Sequence, residues 1–224
     1  MNYSIAHLLL MILPFLFAVT VHEVSHAYMA YYLGDNTAKN AGRLTLNPIS
    51  HIDPLGLMVL LFTRMFGWAK PVPVDFRIIS RKKYGPLMVA AAGPASNFAL
   101  AIVSAILLYI SARFIPGSAF GNLAEPIVLM LYFSTMINAV LGLFNLIPIL
   151  PLDGGRIVQN LLPHELAYRY SALERWGMFM VILLLIFDRF YPFLRPIFGV
   201  AIKLLVSPSW RFSAPYILML GGGN

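Results

Sequence analysis

The sequence predicts an all-α polytopic membrane protein. It should have about four to five transmembrane helices, a short re-entrant or interfacial helix, and a small β element between spans one and two. Three observations carry that expectation. Hydrophobic residues make up 59% of the 224-residue chain and charged residues 11%. With a mean hydropathy of +0.77, this is not the composition of a soluble globular chain. Apolar runs at 5–33, 86–112 and 126–152 contain no lysine or arginine, and each exceeds the roughly 20 residues that cross a bilayer as helix. The basic residues, finally, crowd into one connection.

Taken in order, the first run could be misread as a signal peptide. It has neither a basic leading region nor a small-x-small cleavage site, so it is expected to be retained. After it, "AGRLTLNP" alternates like a short strand, bounded by Gly42 and by Asn47-Pro48. The stretch 54–69, "PLGLMVLLFTRMFGWA", is too short to span comfortably and suits a re-entrant or interfacial helix. Spans two and three follow. A fourth, "WGMFMVILLLIF" at 176–187, becomes long enough if its helix begins near His164. Residues 190–206 could supply a fifth. The chain is expected to be one membrane-embedded domain over 1–224, with its core at 5–190 and a peripheral segment at 191–224.

The net charge of +7 could suggest nucleic acid, but no basic run interleaves with aromatics, and no nucleic-acid partner is expected. In a membrane protein, positive charge reports topology. Eight of the sixteen basic residues lie between the first two spans: Lys39, Arg43, Arg64, Lys70, Arg77, Arg81, Lys82 and Lys83. The connection 113–125 holds only Arg113. Residues 34–85 are therefore expected in the cytoplasm and the N-terminus outside, in the plasma (inner) membrane. No cysteine is present, which excludes disulfides and thiolate metal sites.

The polar residues inside span one need a reason, because a charge at mid-membrane costs about 2.5–3.5 kcal/mol on insertion scales. His22-Glu23-Val24-Ser25-His26 matches H-E-x-x-H. On a helix, residues four apart share a face, so two imidazoles converge on one ion. Glu23, beside the first histidine, is placed to take a proton from water at that ion. A catalytic zinc usually has three protein ligands. The best third candidate is Asp153 in "NLIPILPLDGG", at the cytoplasmic end of the third run. Pro148 and Pro151 break the helix, and Gly154-Gly155 permit a turn that aims the carboxylate inward. His51 and Asp53 in "HIDP" form another candidate pair, although turn chemistry before a proline explains them better. His7 and His164 do not suit the site.

On these residues the chain resembles the site-2 protease family, intramembrane zinc metalloproteases, over roughly residues 5–190. The carrying motifs are "HEVSH" and "NLIPILPLDGG", with "AAAGPASN", "GDNTAKNAGRLTLNPISHIDP" and "KPVPV" resembling a minimal bacterial or archaeal membrane core. The resemblance implies that His22, His26 and Asp153 bind Zn²⁺ and that Glu23 is the catalytic base. It implies that Asn145 and Asn97 sit near the site. Asn145 could serve a developing oxyanion or hold substrate backbone, whereas Asn97, among small residues that favour close helix packing, reads as structural. The implied function is hydrolysis of peptide bonds within or next to transmembrane helices of single-span substrates in the bilayer, with the active site towards the cytoplasmic side. The strand-like "GRLTL" could pair with an unwound substrate. Many relatives carry PDZ or CBS domains. Neither is recognisable here, so gating by such domains is not expected. A divalent-metal transporter using the same His/Asp site is an alternative, but gives no reason for Glu23. An inactive scaffold that binds membrane helices is another.

Overall fold

The structure, a computed structural model, describes residues 5–63, 68–114 and 124–219. Its elements are all helices: α1 (Ile5–Tyr32), α2 (Thr37–Asn40), a 3-10 turn (Pro48–His51), α3 (Pro54–Thr63), α4 (Phe76–Ile79) and α5 (Gly85–Phe114). They continue with α6 (Ala124–Asn145), α7 (Asp153–Leu161), α8 (His164–Ser171), α9 (Glu174–Phe190) and α10 (Leu194–Met219).

Three helices among the described residues are long and apolar enough to cross a membrane: Leu10–Tyr32, Gly85–Ser111 and Pro126–Asn145. A helix does begin at His164, where the sequence places the start of a fourth span, but it belongs to a bent pair. α8 and α9 meet at 64°, so the count reaches four only if both halves form one broken span. Residues 190–206, which could supply a fifth span, lie largely within α10, which runs from Leu194 to Met219 and is not among those three. The ten-residue α3 rises only about 15 Å, in keeping with a segment that does not cross. Residues 64–67 of that expected re-entrant stretch lie outside the described residues.

The expected strand has no ladder. Among the described residues the only β pairing is an isolated bridge between Ile52 and Ala69, beside which Lys70 N donates to His51 O at 2.9 Å. Strand pairing needs a neighbouring backbone, and here the N–H of Arg43 donates to Ala38 O at 2.9 Å and that of Asn47 to Thr45 Oγ1 at 3.2 Å. The buried Arg43 guanidinium donates to the carbonyls of Lys70 (2.5 Å) and Pro71 (3.4 Å). The carbonyl of Thr45 accepts from the buried His51 ring at 2.9 Å.

The end of α1 shows how local sequence sets a boundary. Gly34 takes φ +100°, its N–H donates to Tyr31 O at 3.0 Å, and Asp35 N donates to Ala30 O at 2.9 Å. That is a Schellman cap, which satisfies the last carbonyls of the helix. Asp35, fully buried, then accepts from Thr37 N at 2.8 Å and from Asp75 N at 2.7 Å, fastening the start of α4 to the end of α1.

The chain divides into two compact units. One comprises Met1–Ala18, Asn97–Leu141 and Tyr191–Asn224. Its apolar core gathers Leu108, Val128 and Val206 with Leu131, Tyr132 and Ile202. A polar ladder also joins its helices: Asn97 Nδ2 donates to Ala18 O (3.3 Å) and to Asn138 Oδ1 (2.9 Å), and Asn138 Nδ2 donates to Ser134 O (2.9 Å). Ser104 and Ser134 hydroxyls meet at 2.8 Å. In an apolar surround such satisfied contacts join helices that have no hydrophobic drive to associate. The other unit, Val19–Ser96 and Gly142–Phe190, packs Ala30, Ile79 and Val89 with Met29, Leu33 and Val74. It also holds HEVSH and Asp153.

Candidate metal centre

His22 and His26 lie one turn apart on α1, and their rings stand edge to face, with centroids 4.7 Å apart and planes at 82°. The two Nε2 atoms are 3.1 Å apart. Asp153 Oδ2 lies 3.1 Å from the first and 3.2 Å from the second. Three electron-pair donors on nearly buried side chains thus form an almost equilateral triangle. Asp153 Oδ2 is buried and accepts no hydrogen bond, which is costly for a carboxylate unless a cation completes it. Tetrahedral zinc with bonds of about 2.0–2.1 Å spaces its ligands by about 3.3–3.4 Å, close to the triangle seen. The donor set fits zinc.

Asp153 reaches that point because the chain before it folds back. α6 stops at Asn145 and residues 146–152 form turns, with Ile149 N donating to Ile147 O (2.8 Å) and Leu152 N to Ile149 O (2.9 Å). The third run therefore ends as a helix well short of 152, since Pro148 and Pro151 have no N–H to continue it. Gly154 and Gly155 are not turn glycines: both are buried in the first turn of α7. They allow close approach instead. A Cβ on Gly154 would come within 2.6 Å of Ile147 O, and one on Gly155 within 2.6 Å of the Ile149 carbonyl carbon. Gly177 of α9 closes the other side, where a Cβ would lie 2.6 Å from the Leu150 carbonyl carbon. Tyr170 adds a clasp by donating to Pro148 O at 2.8 Å, as does the 3.0 Å Arg156–Glu174 ion pair.

α5 supplies the support behind the second histidine. His26 Nδ1 lies 2.7 Å from Val89 O. A carbonyl only accepts, so Nδ1 carries the proton and Nε2 keeps its lone pair for an ion. One turn on, Pro94 has no N–H for the carbonyl of Ala90. Glu23, half-buried, follows His22 on the same helix.

Asn97 is fully buried and spends both amide hydrogens on Ala18 and Asn138. Asn145 is the half-buried last residue of α6, at the start of the turns leading to Asp153. Asp53 caps α3, accepting from Leu55 N at 2.8 Å and Gly56 N at 3.2 Å. Among the described residues, His22, His26 and Asp153 form the one group of three or more His, Cys, Asp or Glu placed to hold a metal. Nothing in the order of residues pointed to Val89, because its contribution is a backbone carbonyl that any residue carries.

Residues 10–187 match peptidase family M50. The chain is 38% identical over 189 residues to the Bacillus subtilis protein named "Putative zinc metalloprotease YwhC", covering 82% of this chain and 83% of that one. Rip2 of Mycolicibacterium smegmatis, with the same designation, is 29% identical over 186 residues, 80% of this chain and 67% of its own. Zinc metalloprotease MJ0392 of Methanocaldococcus jannaschii is 30% identical over 171 residues, 76% of this chain but 39% of that protein. No solved structure matches.

Proposed function

Because the chain belongs to peptidase family M50 and is a zinc metalloprotease, we propose that it cuts peptide bonds within or next to transmembrane helices of single-span membrane proteins. In this reading His22, His26 and Asp153 hold the zinc and Glu23 is the catalytic base. The observation that carries it is the triangle of His22 Nε2, His26 Nε2 and Asp153 Oδ2 at 3.1–3.2 Å, one residue from a carboxylate with the H-E-x-x-H offset. When bound, zinc polarises the scissile carbonyl and makes water acidic near neutral pH.

The chain's own groups do the rest. The i, i+4 pair and Asp153 set the ion's position, and Val89 O holds the His26 ring in the tautomer that can donate to it. Glu23 takes the proton from the attacking water and returns it to the leaving amine. Asn145 is our choice for steadying the substrate backbone or its developing oxyanion. A helical substrate hides its carbonyls in its own hydrogen bonds, so it must unwind before attack. The whole chain, with its core at 5–190, works as one membrane-embedded domain in the plasma membrane, its N-terminus outside and the site towards the cytoplasm. A transporter or inert scaffold is not favoured for a member of a peptidase family.

The test uses purified protein in detergent with a panel of single-span substrates, with and without a zinc chelator. Cleavage that stops with chelator and returns with added zinc is the expected result. Chelator-insensitive cleavage, or none with zinc-loaded protein on any of the panel, would count against the reading.

A further inference from the structure

Gly93 sits inside α5, in the stretch "AAAGPASN", where alanine would be the better helix former by up to about 1 kcal/mol. Its φ is ordinary, since the positive-φ glycines are Gly34 and Gly42. Backbone conformation gives no reason for a glycine here. Space does. A Cβ on Gly93 would collide with His26 Nε2, and would lie 2.6 Å from His22 Cε1 and 2.7 Å from His22 Nε2. The nitrogens it meets are the two that face each other with Asp153 in the triangle.

This differs in kind from the other crowded glycines. At Gly154, Gly155 and Gly177 the two nearest atoms belong to the backbone of 146–150, which cannot yield without moving the loop. At Gly93 all three nearest atoms are the tips of two imidazoles. Rings can swing aside, so a side chain there is compatible with the fold but not with both rings in their donor positions.

We propose that Gly93 is a positioning residue of the metal centre: its missing side chain keeps open the volume in which His22 and His26 share an ion. The α5 turn then serves the site twice. Val89 O orients one imidazole, and four residues on Gly93 leaves room for what both imidazoles bind. The proposal rests on the zinc-site reading above, and it assigns a role to a residue outside both ligand motifs.

Gly93→Ala is compared with wild type and with Ala92→Ser, all as full-length protein in detergent. Ala92 lines a different space, a cavity of about 360 Å³ shared with Val24, Ser25, Tyr28, Met29 and Ala95, so one added atom there is harmless. Bound zinc in Gly93→Ala should fall at least about tenfold, the low end for losing support around a metal ligand. The rise in Tm on adding zinc should vanish with it, while Tm of the metal-free variant holds or increases. Ala92→Ser should keep full zinc. Full zinc and a wild-type Tm rise in Gly93→Ala overturn the proposal and leave the zinc site standing. Full zinc in both His22→Ala and Asp153→Ala instead removes the site itself, and the proposal with it.

A wild-type measurement decides the matter even where the variant does not fold. Only two Ala-Gly pairs occur in the chain, Ala41-Gly42 and Ala92-Gly93. Carbonyl-labelled alanine with ¹⁵N-glycine therefore isolates two amide signals. On loading with Co²⁺, the Gly93 signal should shift strongly or broaden away while Gly42 holds. A Gly93 signal unmoved by bound cobalt would overturn the proposal.

Discussion

Glu23 and the two histidines differ in what their loss should do. A ligand holds the ion, so His22→Ala or Asp153→Ala should remove zinc and cleavage together. Glu23 lies outside the triangle of donors, so Glu23→Gln should insert and bind zinc near-normally while cleaving at least about 100-fold more slowly, the lower range for losing acid–base catalysis. Metal analysis alongside a cleavage assay checks both halves. Wild-type cleavage by Glu23→Gln would show that another group is the base. At this scale the sequence was most informative where spacing alone brings side chains together. Four residues of helix place His22 and His26 on one face whatever surrounds them. It was silent on Val89, and it suggested Asn97 only through a motif. The Asn97 amide ties α5 to Ala18 O and to Asn138.

α7, α9 and the turns at 146–152 act as one assembly that delivers Asp153. The tightest point is Gly177 of α9, over the Leu150 carbonyl, with the Pro151 ring beside it. Gly177→Ala should force that backbone away, and overpacking of this kind costs about 1–3 kcal/mol. Because Asp153 follows soon after Pro151, the shift should weaken zinc binding as well. The expected pattern is a lowered Tm in the metal-free protein together with reduced bound zinc. It contrasts with Gly93→Ala, where zinc falls and the metal-free Tm does not. A Gly177→Ala protein with unchanged Tm and full zinc would mean that the loop absorbs the methyl group. Pro148 and Pro151 marked in the sequence where the third run stops being helix. Gly177, in a separate apolar run, could not be tied to that loop without the fold.

For the whole molecule, hydropathy leaves orientation undetermined, and the basic residues set it. The eight lysines and arginines within 34–85 should hold that connection in the cytoplasm. The native chain lacks cysteine, so single cysteines report position without background. Lys82→Cys and Asn160→Cys should be protected from a membrane-impermeant thiol reagent in intact cells and react once the membrane is opened. Labelling of residue 82 from outside would invert the topology and place the site nearer the other face. The three apolar helices were legible as runs. The bend of 64° between α8 and α9 was not, since composition measures how apolar a segment is and not whether its axis stays straight.

What the sequence by itself determined is what depends on short range and on solvent preference. Apolar length marked the spans, and the H-E-x-x-H offset put two imidazoles and a carboxylate on neighbouring turns. The third donor could be named from the sequence as a carboxylate in the right motif, but only the tertiary structure decided that Asp153 meets both imidazoles at 3.1–3.2 Å. The same holds for Val89 O and for the space at Gly93, and for the missing strand at 43–46. Each depends on what a distant piece of chain brings to within van der Waals or hydrogen-bonding distance. A backbone carbonyl, an absent side chain and the contacts that divert a segment from strand pairing leave no mark of their own in the order of residues.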